Sequence, residues 1–289
     1  MSEQLRFDGK RVIVTGAARG FGSHHAKLLA SRGARVLVVD NGCNVDGTGS
    51  SPEPAEAMAK EINDAGGEAI PVFADVSDEA DAARIVQTAL DAFGGLDILV
   101  NNAGITDPGH FEDLTSEQIR RMTETQYMGT VWVSKHAWGP LTETKGNIVN
   151  TASESVLGNV PKCIAYGGAK GGVFSFTRSL AHDGRRLGIR VNAISPRGNT
   201  RISSPELLAE FMDMPVETFL NNPFLEAMTP DQPAAAVAFL AHDSCELTGE
   251  TLVCGGGRVM RIFVSETKGI TTDGPVSYTH LTLPTIYSV

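Results

Sequence analysis

The sequence predicts a single α/β domain built on a doubly wound, parallel, seven-stranded sheet. Short β-branched apolar runs alternate with longer Ala-rich segments of helical pattern across residues 12–241. Continuous apolar strands alternating with helices belong to parallel sheets covered on both faces. Polar motif residues recur where the strands end, at the edge where open α/β sheets bind ligands. Glycines such as Gly33, Gly66-Gly67 and Gly94-Gly95 stop the first helices, as residues suited to a left-handed cap do.

In order, strands are expected at 12–15, 35–40, 69–73, 97–101, 147–151, 189–194 and 251–253. Helices are expected at 21–31, 55–64, 79–93, 116–138, 165–186, 205–212 and 231–241. Two segments break the rhythm. Residues 41–54 form a long polar loop after the second strand. Residues 196–230 carry Phe211, Met212, Met214, Phe219, Phe224 and Met228, either as a lid over an apolar substrate or as amphipathic helices packed on the body. The domain is expected over 1–264, with an extension at 265–274. Residues 275–289, PVSYTHLTLPTIYSV, resemble the in-frame translation of a sequencing-library adapter and are expected to be non-native.

Composition narrows the function. The 289 residues are 42% hydrophobic, with net charge −10, enough for one sizeable core and unfavourable for a phosphate-backbone partner. Neither a membrane-length apolar run nor an apolar leader is visible. The cysteines Cys43, Cys163, Cys245 and Cys254 are scattered without a CxxC pair, which favours reduced thiols in a cytoplasmic protein. His24 and His25 lack a partner at ligand spacing, so no metal site is expected.

The first strand runs into Thr15-Gly16-Ala17-Ala18-Arg19-Gly20-Phe21-Gly22. Gly16 permits a tight turn, Gly20 and Gly22 allow close approach, and the following helix N-terminus offers free N–H groups to a pyrophosphate. This is a Rossmann-type arrangement. Asp40 ends the second strand, where a carboxylate accepts the adenosine ribose hydroxyls and repels a 2′-phosphate. NAD is therefore expected over NADP, with Arg19 as a counterweight. Asp75 and Val76 follow the third strand, and Asn102, Ala103 and Gly104 follow the fourth. Their shared edge marks them as cofactor-binding candidates.

The fifth strand leads to Ser153, and a helix beyond it carries Tyr166 and Lys170. Positions i and i+4 share a helix face, so the ammonium is expected beside the phenol. To act as a base near neutrality the phenol must fall from about 10 to about 7, roughly 4 kcal/mol of differential stabilisation. Lys170 and an oxidised nicotinamide both favour phenolate.

Taken in order, TGAARGFG at 15–22, NNAG at 101–104, Ser153, YGGAK at 166–170 and VNAISPRGNT at 191–200 resemble the short-chain dehydrogenase/reductase family. The resemblance spans about 5–264. It implies hydride transfer between a nicotinamide and a secondary alcohol or ketone, with Ser153, Tyr166 and Lys170 catalytic. It also implies that Lys170 binds the nicotinamide ribose and that Pro196 and Thr200 line the nicotinamide side. A homodimer or homotetramer is implied as well. Gln126 stands where the family often has an Asn of a proton relay, and Arg197 interrupts the usual Pro-Gly. The loop after Asp40 and the 255–264 ending are similar to the branch of (3R)-hydroxyacyl-CoA dehydrogenase modules of multifunctional β-oxidation enzymes. That branch suggests a 3-hydroxyacyl thioester. The alternative is a catalytically silent nucleotide-binding regulatory protein of the same fold. A Gly-rich methyltransferase also fits the turn but has no need of Tyr166 and Lys170.

Overall fold

The computed structural model describes residues 4–220 and 222–266. Phe224 lies among them without a described side chain. The end of the expected extension and the tail at 275–289 lie outside the described residues.

Seven parallel strands stand where the apolar runs placed them: β1 (Arg11–Thr15), β2 (Arg35–Asp40), β3 (Glu68–Phe73), β4 (Ile98–Asn101), β5 (Asn147–Thr151), β6 (Arg190–Pro196) and β7 (Thr251–Gly255). An eighth, β8 (Arg258–Ile262), pairs antiparallel with β7 and extends the expected sheet by one edge strand. The order is β3-β2-β1-β4-β5-β6-β7-β8. Gly255, Gly256 and Gly257 all have positive φ (139°, 60° and 70°), so this glycine run makes the hairpin turn that reverses the chain. The alternation that would announce β8 is weak because Arg258, Val259 and Arg261 are all exposed.

Strand residues split by period two between the faces. Val12, Val14, Val36 and Val38 join one core beneath α1 (Gly20–Ser31), α2 (Glu53–Asp64) and α9 (Gln232–Ala241). Ile13, Leu37, Val39, Leu99 and Ile148 join the other, with residues of α3 (Glu79–Phe93), α5 (Gly129–Thr144) and α6 (Ile164–Gly184). Trp132 and Trp138 pack against this second core. His25, fully buried in α1 without a hydrogen-bond partner among the described residues, is held neutral, its pKa pushed down to about 3, chiefly by burial.

The helix expected over 116–138 differs. It comprises α4 (Ser116–Thr123), a π turn over Glu124–Met128, and α5. Of the π-turn residues only Gln126 is buried. The extra residue turns Gln126 inward, a placement that the 3.6-residue pattern does not announce. The 196–230 excursion folds as a 3-10 turn (Arg201–Ser203), α7 (Pro205–Met212), a second 3-10 turn (Val216–Thr218) and α8 (Pro223–Glu226).

β1 leads through α1, β2 and α2 to β3 on one side, and β4 returns on the other side of β1. The order reverses at that point, so a crevice opens above the carboxyl ends of β1 and β4.

Candidate active site

A cavity of about 660 Å³ lies along this edge. Gly16, Arg19, Gly20, Phe21, Asp40, Asp75, Val76, Asn102, Ala103, Gly104, Gln126, Ser153, Tyr166, Lys170, Pro196 and Thr200 all line it. Gly22, also expected near the cofactor, is not among the lining residues. A Cβ there would stand 2.1 Å from the Gly16 carbonyl oxygen and 2.4 Å from Asn102 Nδ2, so Gly22 lets α1 press onto the turn. Gly22→Ala is expected to destabilise the fold by about 1–3 kcal/mol and to weaken nucleotide binding. Thermal melting and a binding titration check both.

The turn is fastened from β4. Asn102 Nδ2 donates to the carbonyls of Thr15 and Gly16, both at 3.0 Å. Thr15 Oγ1 accepts from the backbone N–H of Asn102 at 3.0 Å and of Ala103 at 3.1 Å. Asn102 thus shapes the glycine turn with its side chain. Gly16 has φ +61°, and a Cβ there would meet Ala103 Cα at 2.7 Å. No side chain caps the N-terminus of α1, which leaves its first amides for a phosphate. Asp40 accepts from the N–H of Ala18 at 2.9 Å and of Gly42 at 2.8 Å, which fixes the carboxylate at the end of β2. These residues fit the adenosine and pyrophosphate parts of a dinucleotide. The loop after β2 crosses the cleft: Thr106 N–H donates to Val45 O at 2.8 Å, and Arg121 Nε to Asp46 O at 2.9 Å.

At the other end, Lys170 is 3% exposed and donates to the Thr151 carbonyl at 2.6 Å. Its Nζ lies 5.8 Å from the centre of the Tyr166 ring. Ser153 Oγ accepts from Ser155 N–H at 3.2 Å and, as a hydrogen-bond partner of Tyr166, favours the phenolate. Burial outweighs that help: the Tyr166 phenol is pushed up to about 12, while burial pushes Lys170 down to about 7. The spacing of the two residues suggested that Lys170 would dominate the phenol. In the chain alone, loss of hydration acts against the charged form of both.

Gln126 Nε2 donates to the Ile105 carbonyl at 2.5 Å. Its Oε1 is buried without a partner among the described residues. Beneath the site, Asn101 Nδ2 donates to Ser134 Oγ and Asn150 Oδ1, both at 2.9 Å, and Asn150 Nδ2 donates to Thr177 Oγ1 at 3.0 Å. This network ties β4 and β5 to α5 and α6.

Two lining residues, Arg197 and Arg201, were not anticipated in their roles. Arg197 forms a two-pronged ion pair with Glu154, 2.6 Å on each prong, joining the loop after Ser153 to the one after Pro196. Arg201 enters from the excursion. No spacing rule flags the Arg197–Glu154 pair or the entry of Arg201, because the residues involved belong to separate loops. Leu208, Phe211, Met212, Leu225 and Met228 of the excursion face the cavity. Asp213, at the end of α7, pairs with Lys162.

In α6, which carries Tyr166 and Lys170, a Cβ at Gly172 would meet the Tyr127 ring at 2.9 Å, whereas Gly168 and Gly171 have nothing within 4 Å.

A short chain dehydrogenase family model matches residues 10–203, and the chain belongs to the short-chain dehydrogenase/reductase family. That places it among nicotinamide-dependent oxidoreductases. It is 33% identical over 282 residues to a peroxisomal hydratase-dehydrogenase-epimerase of Neurospora crassa, covering 96% of this chain and 30% of that protein. The chain therefore spans under a third of that multifunctional relative. It is 33% identical over 268 residues to a short-chain type dehydrogenase/reductase of Mycobacterium tuberculosis, covering 92% of this chain and 89% of that one. Carveol dehydrogenase from Mycobacterium avium, solved in complex with NAD, superposes with a TM-score of 0.77 at 26% identity, covering 86% of this chain and 97% of that one. The silent-binder alternative is not favoured by these relatives. Among the described residues, no helix is long and apolar enough to cross a membrane.

Proposed function

We propose that the chain is an NAD-linked dehydrogenase of an apolar secondary alcohol, with Tyr166 as its acid–base group. One observation carries this reading: Ser153, Tyr166 and Lys170 line the same cavity whose far end holds the glycine turn and Asp40. When bound, the cofactor supplies the hydride acceptor and a positive charge. Ser153 Oγ holds the substrate oxygen by a hydrogen bond and keeps it against Tyr166. The Tyr166 hydroxyl takes the alcohol proton in oxidation and returns it in reduction. Lys170, anchored on Thr151 O, stabilises the phenolate when charged. Gln126 lines the cavity, and its buried Oε1, without a partner among the described residues, is an acceptor available to a proton path.

Leu208, Phe211, Met212, Leu225 and Met228 give the substrate end an apolar wall. The Arg197–Glu154 pair cancels the charge there. This suits a lid over an acyl chain, and the relation to the hydratase-dehydrogenase-epimerase favours a 3-hydroxyacyl thioester. A panel of 3-hydroxyacyl thioesters and free secondary alcohols, run with NAD and with NADP, tests the reading. Turnover of none of them would refute it.

Asp40 favours NAD, since a 2′-phosphate beside a fixed carboxylate is repelled. Asp40→Asn is expected to narrow the NAD-to-NADP ratio of kcat/KM by about tenfold, roughly 1.4 kcal/mol. An unchanged ratio assigns discrimination elsewhere.

A homodimer or homotetramer is proposed as well. Gly168 and Gly171 leave open space along α6, and Ile164 and Phe111 nearby are 47% and 68% exposed. A second subunit would bury these residues. Light scattering at micromolar protein is expected to give at least twice the chain mass, and a monomer mass would contradict it.

A further inference from the structure

Arg201 has no part in the chemistry above, yet it lines the cavity. It begins the 3-10 turn that follows Thr200, and that turn is pinned in place. Ser203 Oγ donates to the Gly198 carbonyl at 2.6 Å and accepts from Thr200 N–H at 3.0 Å. Gly198 lies so close to α1 that a Cβ would stand 2.6 Å from the Phe21 ring. The backbone carrying Arg201 is therefore seated on the start of the nucleotide-binding helix.

From there the side chain interacts electrostatically with Arg19, Asp40 and Cys43 on the opposite bank. Its guanidinium makes no hydrogen bond or ion pair with any described residue. Arg19 donates to Cys43 O at 3.3 Å, and both Asp40 oxygens already accept backbone N–H groups. The guanidiniums of Arg19 and Arg201 act on each other as like charges across a cavity that also holds Asp40 and Asp75. Neighbouring like charges destabilise each other, and a multivalent anion between them offsets that repulsion. The planar fork of Arg suits phosphate oxygens.

We propose that Arg201 clamps a phosphate of the adenosine half of the cofactor from the lid side, so that nucleotide binding seats α7. The inference rests on the cofactor reading. Arg201 is immediately followed by the segment that bears Leu208, Phe211 and Met212, so fixing it also fixes the apolar wall. The phosphate is either the pyrophosphate common to NAD and NADP or the 2′-phosphate of NADP.

Calorimetric titration of the full chain with ADP-ribose and with 2′-phospho-ADP-ribose tests the clamp without turnover. Arg201→Gln is expected to weaken binding by about 10- to 100-fold. Arg186→Gln, at an exposed residue paired with Asp183, controls for net charge and is expected to change neither affinity. Equal loss for both ligands assigns the pyrophosphate, and loss for the phosphorylated ligand alone assigns the 2′-phosphate. Unchanged affinity for both overturns the clamp while leaving the cofactor reading intact. Wild-type protein that binds neither ligand overturns both. Hydrogen exchange reads the lid. ADP-ribose is expected to slow exchange over 201–212 in the wild type and not in Arg201→Gln, and equal slowing in both overturns the coupling.

Discussion

Tyr166→Phe is expected to lower kcat by about 10²–10⁴, while the affinity for NAD changes by less than about threefold, because only an oxygen is removed from the ring. The substitution leaves the apolar cluster of Ile105, Met122 and Ala169, against which the ring packs, in place. Folding should survive, so the loss belongs to proton transfer. Stopped-flow hydride transfer with saturating NAD, set beside a binding titration, separates the two effects. Retention of most of the turnover would remove Tyr166 from the chemistry and revive a proton acceptor elsewhere in the cavity.

Lys170→Met is expected to reduce activity by a similar factor and, at neutral pH, to stabilise the protein. Burial lowers the Lys170 pKa from 10.5 to about 7, so the unfolded chain holds more protons than the folded one between these values. Stability contributed by this group therefore rises with pH across that window, and below it the full cost of burying the charge is felt. At pH 7 that cost is about 4 kcal/mol. The hydrogen bond to Thr151 O offsets about 1–3 kcal/mol of it. Methionine keeps the length and drops the charge, leaving a net gain on the order of 2 kcal/mol, or roughly 4–8 °C in Tm. The gain should shrink as pH rises toward 10.5. A stabilised, inactive variant whose advantage fades with alkali separates a functional lysine from a structural one. A destabilised variant at pH 7 would mean that the Thr151 contact outweighs burial.

The same balance explains what the chain needs from its ligand. In the chain alone, burial holds Tyr166 near 12, too high to serve as a base at pH 7, and holds Lys170 near 7, where it is only partly charged and gives the phenolate incomplete support. Positive charge brought beside the phenol lowers its pKa, so under the proposed reading a bound oxidised cofactor would supply the charge that Tyr166 needs.

Much of this was legible in the sequence because the informative signals were local. β-branched runs gave the seven parallel strands, and the glycine turn with Asp40 marked the nucleotide end. The Tyr166–Lys170 spacing put both side chains on one helix face, and both line the cavity. The features that escaped depend on partners far apart in the chain. The π turn that buries Gln126 adds a residue to a helix whose pattern reads as continuous. The close packing that requires Gly22, set by the Gly16 carbonyl and Asn102, also joins segments far apart in the chain. Arg197 meets Glu154, and Arg201 faces Arg19, only after three loops gather at the sheet edge. The dominance of burial over the lysine's charge could not be read from spacing, since hydration depends on the whole cavity.

The central claim is tested most directly by ultraviolet difference titration of tyrosinate, with and without saturating NAD, in the wild type and in Tyr166→Phe. The account predicts that NAD brings one tyrosine of the wild type into titration at about 7–8, and that this step is missing from Tyr166→Phe. A NAD-dependent step of the same size in Tyr166→Phe, or none in a wild type that turns over, would contradict it.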